Sequence, residues 1–123
     1  MRFREWIKLK GRKKRHCRIR NKISGTKDTP RACVFRSLKN LSVQLVDDLS
    51  GHTLYSISTC AGEVKDRVKN TGNVEAARAL GEAFAKNVRE KGFEKVIFDR
   101  AGYRYHGRIK AFVEAARKGG IKL

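Results

Sequence analysis

Three short β-rich stretches follow one another between residues 31 and 59, and they constrain the fold more than any other feature of the chain. Apolar and polar residues roughly alternate in RACVFR (31–36), LSVQLVD (41–47) and TLYSIST (53–59). Such alternation is typical of strands with one buried face. Only short polar segments separate the stretches, and Ser50-Gly51 supplies a turn between the last two. We therefore predict an antiparallel three-stranded meander.

The pattern changes to a helical period over residues 73–91. Apolar side chains recur every three or four positions, at Val74, Ala77, Leu80, Gly81, Phe84 and Val88. Asn73 can cap this helix and Gly92 can end it. The apolar run KVIF (95–98) then predicts a fourth strand. The order strand, helix, strand indicates that this strand runs parallel to the third through a right-handed crossover.

A second helix is predicted over about residues 107–118. Its apolar residues are spaced at i, i+3, i+4 and i+7, at Ile109, Phe112, Val113 and Ala116. Both helices need an apolar surface to cover. The simplest arrangement is a mixed α/β fold: a four-stranded mixed sheet, three strands antiparallel plus one parallel, with both helices packed on it. At 123 residues the chain has room for one such domain, which we place at residues 25–123.

The cationic charge of the chain is large and is concentrated at one end. Thirty lysines and arginines against twelve acids give a formal net charge of +18. Residues 1–24 hold eleven of these cations and a single acid, Glu5. We expect this basic arm to be partly helical, or disordered until it binds a polyanion. A solvated charge run is the alternative. An anionic membrane suits the arm less, because cations surround every face and leave only a short apolar patch.

The cysteines and the hydropathy of the chain indicate the cellular compartment of the protein. Cys17, Cys33 and Cys60 form no C-x-x-C pair and have no neighbouring histidine at zinc-ligand spacing, so we expect neither a disulfide framework nor a metal site. Cys33 and Cys60 lie in strand-like stretches, where free thiols usually pack as small hydrophobes. No apolar run is long enough to span a bilayer and the N-terminus lacks a signal-peptide pattern. We expect a cytoplasmic protein with no membrane partner.

The stretch DRAGYRYHGRIK (99–110) combines an acid, four cations, two tyrosines, a histidine and two glycines. It follows the predicted fourth strand and leads into a helix N-terminus, an edge that attracts anions. Its cations can bind phosphates, while its aromatic side chains can stack on unpaired bases. The alternative is that one tyrosine packs under the sheet and that the arginines are merely solvated.

A catalytic interpretation is also open, because Asp47, Asp48 and Asp99 lie near strand ends and could converge on Mg²⁺, as in metal-dependent nucleases. Adjacent strand residues point to opposite faces, so Asp47 and Asp48 cannot both ligate one metal. Aspartates beside a Ser-Gly turn commonly serve backbone hydrogen bonds instead. No nucleophile-base pair is recognisable. We therefore predict that the protein is not an enzyme and uses no cofactor.

Several motifs together resemble one known family. They are RKKRHCRIR (12–20), GTKDTPR (25–31), VFRS (34–37), VQLVDD (43–48) and FDRAGYRYHGRIKAFVEAAR (98–117). In this order they are similar to the bacterial form of the universal large-subunit ribosomal protein family that binds 5S rRNA, ribosomal protein L-eighteen. The resemblance implies an α/β fold, no catalysis and a place in the central protuberance. There the protein would help attach 5S rRNA to 23S rRNA beside neighbouring large-subunit ribosomal proteins.

The resemblance also implies which residues contact RNA. Carried over by position, these are Arg12, Arg15, Arg18, Arg20, Arg31, Phe35, Arg36, Ser37, Lys39, Asn40, Gln44, Arg100, Tyr103, Tyr105, His106, Gly107 and Arg108. Ala101 departs from the family pattern, which commonly has glycine there. Ala32-Cys33 replaces a more usual pair that contains leucine.

Overall fold

The computed structural model describes residues 11–23, 25–26 and 28–123. In chain order, the elements are α1 (Gly11–Lys22), β1 (Arg31–Arg36), β2 (Leu41–Asp47), β3 (His52–Ser58), α2 (Gly62–Lys65), α3 (Val74–Glu90), β4 (Ile97–Asp99) and α4 (Arg108–Lys118). The first ten residues of the predicted basic arm lie outside the described residues, whereas Gly11–Lys22 of the arm form a helix. The four-residue helix α2 was not predicted, because one turn is too short to show a period.

The sheet has the order β3-β2-β1-β4, and its first three strands form the predicted antiparallel meander. Strand β4 runs in the same direction as β3, as predicted, but its hydrogen-bonded neighbour is β1, with Cys33 opposite Asp99. The connection from β3 to β4 contains the 17-residue helix α3. A helix of that length spans about 25 Å, which is enough to cross the meander and reach its far edge.

Helices α3 and α4 cover one face of the sheet, as their apolar periods predicted. Phe84 of α3 and Phe112 of α4 are fully buried, with ring centroids 5.4 Å apart. Burial of side chains of this size contributes about 1.5–3 kcal/mol each. The two helices are in backbone contact at Gly81, where an added Cβ would lie 2.5 Å from the carbonyl oxygen of Phe112. A glycine on the apolar face of α3 therefore sets the distance between the helices.

The cysteines divide by position. All three are free thiols, and Cys33 is buried as predicted. The prediction for Cys60 was wrong, because β3 ends at Ser58 and leaves Cys60 exposed in the following turn. Within the described part of the chain, no helix is long and apolar enough to cross a membrane.

Candidate nucleic-acid interface

The face of the sheet opposite α3 and α4, which we call the open sheet face, presents polar residues and an exposed aromatic ring. The strand register places Phe35, Ser42 and Ser58 in one row across this face, and Cys33, Gln44 and Ser56 in the next. Phe35 is 43% exposed, and Gln44 is exposed as well. Diagonal neighbours on paired strands lie about 7–8 Å apart, so Phe35 and Gln44 form one surface. An exposed ring beside an amide suits base stacking with hydrogen bonding.

Helix α1 contacts the loop that follows β4. Arg12 Nη1 donates to the carbonyl oxygen of Ala101 at 3.1 Å, and Arg15 Nε donates to that of Gly102 at 2.7 Å. Gly102 has a φ of +82°, and an added Cβ there would lie 2.1 Å from the carbonyl oxygen of Arg12. The closest backbone approach at Gly102 is thus made by the basic helix, which is held by its arginines against the loop.

Arg31 is occupied inside the protein. Its Nε and Nη2 donate to both oxygens of Asp48 at 3.0 and 3.2 Å, and its Nη1 donates to Asp99 Oδ2 at 2.6 Å. Burial works against the charged guanidinium, but these hydrogen bonds raise the pKa of Arg31 above its ordinary value. The resemblance assigned Arg31 to RNA contact, whereas all three of its nitrogens bind aspartate here. In the described structure it therefore links two carboxylates.

Asp47, Asp48 and Asp99 do not converge on a metal-binding site. Asp48 and Asp99 share Arg31, whereas Asp47 accepts hydrogen bonds from the Leu49 amide at 3.0 Å and from Ser50 Oγ at 2.9 Å. Burial alone would raise the pKa of Asp48, but hydrogen bonds from Arg31 and from the Gly25 amide lower it. Each carboxylate therefore has a structural function, and the arrangement gives no support to a nuclease site.

His16 of α1 lies over the same buried carboxylate. Its Nε2 is 3.5 Å from Asp99 Oδ2, and ligand atoms of His16, Cys33 and Asp99 lie within 4.8 Å of one another. Burial, followed by the negative charge of Asp99, raises the pKa of the Cys33 thiol to about 11. A neutral thiol and a carboxylate already paired with Arg31 fit a metal ion poorly. Sequence spacing could not reveal this cluster, because the three residues come from three separate elements.

The two tyrosines of the loop have different environments. Tyr103 is only 9% exposed, and the guanidinium carbons of Arg12 and Arg36 lie 4.7 and 4.8 Å from its ring centroid. Its hydroxyl accepts from the Arg36 amide at 3.1 Å and donates to the Arg36 carbonyl at 3.3 Å. Tyr105 is 43% exposed. Tyr103 therefore positions two cations through cation–π contacts, and Tyr105 presents the accessible ring.

A cleft of about 570 Å³ opens beside Tyr103, and we call it the arginine cleft. It lies between the start of α3, the start of α4 and the side of α1. Its lining residues are Arg12, Arg15, Arg36, Gly72, Asn73, Val74, Tyr103, Arg104, His106, Gly107 and Arg108. Sequence reasoning missed Gly72 and Val74 as parts of a site, and it assigned Asn73 only to capping. Nothing in the local pattern indicates that the start of α3 adjoins the loop after β4.

The turn between β1 and β2 uses most of its polar atoms internally. Ser37 Oγ donates to the Asn40 carbonyl and accepts from the Asn40 amide, both at 3.0 Å. Asn40 Oδ1 accepts from Thr59 Oγ1 at 3.1 Å. Lys39 remains exposed at the tip of the turn. Lys39 is thus exposed, whereas the side-chain oxygens of Ser37 and Asn40 already have partners within the protein.

The remaining candidates lie around the loop after β4 and on α1. Arg100 Nη1 donates to the Tyr103 carbonyl at 3.2 Å, and His106 is exposed. Gly107 has a φ of +56° and immediately precedes α4. On α1, Arg18 is exposed, and Arg20 Nη1 lies 3.4 Å from Asp48 Oδ2. The candidates thus divide between an accessible group around the open sheet face and a group that supports the structure.

Comparison with known proteins identifies similar sequences over almost the whole chain. Residues 7–123 match the family model described as ribosomal L18 of archaea, bacteria, mitochondria and chloroplasts. A large ribosomal subunit protein uL18 of Thermotoga petrophila is 48% identical over 116 residues, which cover 94% of this chain and 95% of the relative. Proteins of the same name from Desulforamulus reducens and Alkaliphilus oremlandii are 54% and 49% identical. Those matches cover 89% and 98% of this chain, and 90% and 99% of the relatives.

Proposed function

The chain belongs to the ribosomal L18 family, and from that membership we propose that it binds 5S rRNA and helps attach it to 23S rRNA in the central protuberance. As a member of this family, it is a structural protein of the large subunit of the cytoplasmic ribosome. We propose that it acts by binding alone and performs no catalysis. The carboxylates that a nuclease would need are already engaged, Asp47 in a turn and Asp48 and Asp99 by Arg31.

One observation carries the proposal of RNA binding. His16 of α1 lies beside Cys33 of β1 and Asp99 of β4, whereas Phe35 and Gln44 on the same face of the sheet are exposed. The described cations of α1 and of the loop after β4 therefore lie beside an exposed ring and an exposed amide. Cations bind phosphates without regard to sequence, whereas rings and amides contact unpaired bases. The combination suits a folded RNA with exposed bases better than it suits a uniform duplex.

The net charge of +18 gives the expected energetics. Each bound phosphate releases counterions, so affinity falls steeply with salt. If six to ten phosphates are engaged, affinity should fall about 10³-fold to 10⁵-fold between 50 and 200 mM salt. We propose that residues 1–24 act as a basic arm on a domain of residues 25–123. The arm supplies much of the salt-dependent part of the binding affinity.

The test measures binding of the full chain to a 5S rRNA transcript by fluorescence anisotropy over a series of salt concentrations. Competition with duplex DNA of equal length, at fixed salt, separates recognition of 5S rRNA from general attraction to polyanions. We expect 5S rRNA to compete far better than duplex DNA. Equal competition would show a general nucleic-acid-binding protein instead.

The contribution of the arm is tested separately. A variant that lacks residues 1–22 should keep a cooperative unfolding transition and should bind 5S rRNA much more weakly, with a shallower dependence on salt. An unchanged affinity and salt slope would contradict the role of the arm.

A further inference from the structure

We propose that the arginine cleft binds one phosphate group of the bound RNA, through Arg108, Arg36 and the first backbone amides of α4. This inference rests on the proposed function and deepens it, because it assigns the contact to a particular place and chemical group. The cleft lies at the edge of the interface described above.

The described lining of the cleft is rich in cations. Five arginines line it, and no acid is among the described residues that do. Burial, followed by the positive charge of Arg36, lowers the pKa of Arg108. Arg108 Nη1 is buried, and it has no hydrogen-bond partner within the described part of the chain. A buried donor on a guanidinium is costly to leave unmatched, and an anion is its natural partner.

The N-terminus of α4 adds backbone donors to the same place. Gly107 precedes α4, and both Gly107 and Arg108 line the cleft. No side chain caps this end, and its first turn holds no acid. Helix α3, which also begins at the cleft, differs on both counts: Asn73 caps it, and Glu75 lies in its first turn. The amides of α4, together with its helix dipole, therefore suit an incoming anion.

The groups that line the cleft suit a phosphate. Guanidinium groups form paired hydrogen bonds with tetrahedral oxyanions, and Tyr103 fixes Arg36 by a cation–π contact and by two backbone hydrogen bonds. A cleft of about 570 Å³ has room for a phosphate with an attached ribose. The phosphate can be an internal diester of the RNA or its 5′-terminal monoester. Both present the same oxygens.

The first experiment uses inorganic phosphate and no RNA. At matched ionic strength, phosphate in place of chloride should raise the melting temperature of the full chain and should shift the amide resonances of Gly107 and Arg108. Arg108→Ala should abolish both effects. Arg117→Ala should keep both, because it removes the same charge from an exposed position on α4. An equal response of the wild-type protein and Arg108→Ala would overturn the proposal.

The second experiment measures 5S rRNA binding over a range of salt concentrations. Arg108→Ala should weaken binding about tenfold and should reduce the slope of log K against log salt by about 0.9, the value expected for one phosphate contact. Arg108→Gln keeps the polar bulk and should give the same loss of slope. A slope equal to that of Arg117→Ala in both variants would overturn the proposal, even if affinity fell.

Two further results distinguish the two kinds of RNA phosphate, and they separate this inference from the proposed function. If removal of the 5′-phosphate from the transcript abolishes the difference between wild type and Arg108→Ala, the terminal monoester is the ligand; a persistent difference assigns an internal diester. If the protein responds to inorganic phosphate but does not bind 5S rRNA, the phosphate site stands and the proposed function is refuted. Normal 5S rRNA binding, with no effect of Arg108→Ala on the phosphate response or on the salt slope, would leave the proposed function intact and refute the phosphate site.

Discussion

Arg31 Nη1 and Asp99 Oδ2 are 2.6 Å apart in a site where the Asp99 side chain has no solvent exposure. The pair joins residues that are 68 positions apart and links β1 to the end of β4. Because the same guanidinium also binds Asp48, one cation is shared by two carboxylates. We therefore expect the stability of the domain to depend on Arg31 more than on any exposed arginine.

The first prediction concerns this buried pair. Arg31→Ala leaves Asp99 buried without a counterion, and it should lower the free energy of unfolding by about 3–5 kcal/mol. Arg67→Ala is the control, because it breaks an exposed ion pair with Glu82 and should cost less than about 1 kcal/mol. Urea denaturation measures both. Equal costs would show that the Arg31 pair contributes no more than a surface contact.

The second prediction concerns acid stability. The pKa of Asp48 is lowered in the folded state, although burial opposes the change, because Arg31 and the Gly25 amide bind the carboxylate. A lowered folded-state pKa gives stability that is present above the unfolded pKa, about 4. This stability is lost as the pH falls from there through the folded pKa. Asp48→Asn should be less stable than wild type at pH 7 and should show a smaller loss of unfolding free energy between pH 5 and the acid limit of about 2.

The third prediction uses the raised pKa of Cys33, about 11, which results first from burial and then from the charge of Asp99. Thiolate formation in the folded protein is suppressed, so iodoacetamide at pH 8 should modify exposed Cys60 first. Stability should fall as the pH rises from the unfolded thiol pKa, about 8.5, toward 11, and Cys33→Ala should remove that part of the loss. Peptide mapping by mass spectrometry gives the order of modification. Faster alkylation of Cys33 would contradict the buried position.

The fourth prediction concerns the contact between α1 and the loop. Gly102→Ala places a methyl 2.1 Å from the Arg12 carbonyl oxygen and imposes a φ of +82° on alanine, so α1 should separate from the loop. The backbone strain alone costs about 1–2 kcal/mol. Gly51→Ala is the matched control, because Gly51 has a φ of +73° but no atom within 4 Å of the added Cβ. Trypsin should cleave within α1 faster in Gly102→Ala than in Gly51→Ala.

The fifth prediction tests the open sheet face. Phe35→Ala should weaken 5S rRNA binding by about 1–3 kcal/mol, the range for stacking of one base on a ring. Its effect on the melting temperature should be small, because the side chain is 43% exposed. Leu49→Ala, in the β2–β3 turn and 79% exposed, should leave the affinity unchanged. Equal affinities of the two variants would show that the ring contacts no base.

Local periodicity predicted the elements well. The apolar repeat of α3 and its cap at Asn73 were correct to within a residue at each end, and β1 and β2 have the predicted bounds. Such features are local, because turns, caps and alternation act over a few residues. The neighbour of β4 was not predictable in the same way. Strand direction follows from the connection, but the choice of sheet edge depends on contacts across the fold.

The candidate site shows the same limit. Tyr103 and Tyr105 are two positions apart in one motif, and contacts with Arg12 of α1 and Arg36 of β1 distinguish the buried Tyr103 from the exposed Tyr105. The resemblance assigned Arg31 to RNA contact, but its partner Asp99 lies in another strand. Composition predicted a cationic surface. It could not separate the arginines that support the fold from those that remain accessible.

The place of β4 beside β1 has a consequence for synthesis of the chain. Asp99, the counter-charge of Arg31, is added 68 residues after it, and Lys122, which forms a parallel bridge with Lys95, is added later still. A nascent chain that lacks its final quarter therefore contains the basic helix and the first three strands, but not the edge on which that helix rests. The basic helix can therefore dock on this edge only after β4 has been synthesised and has paired with β1.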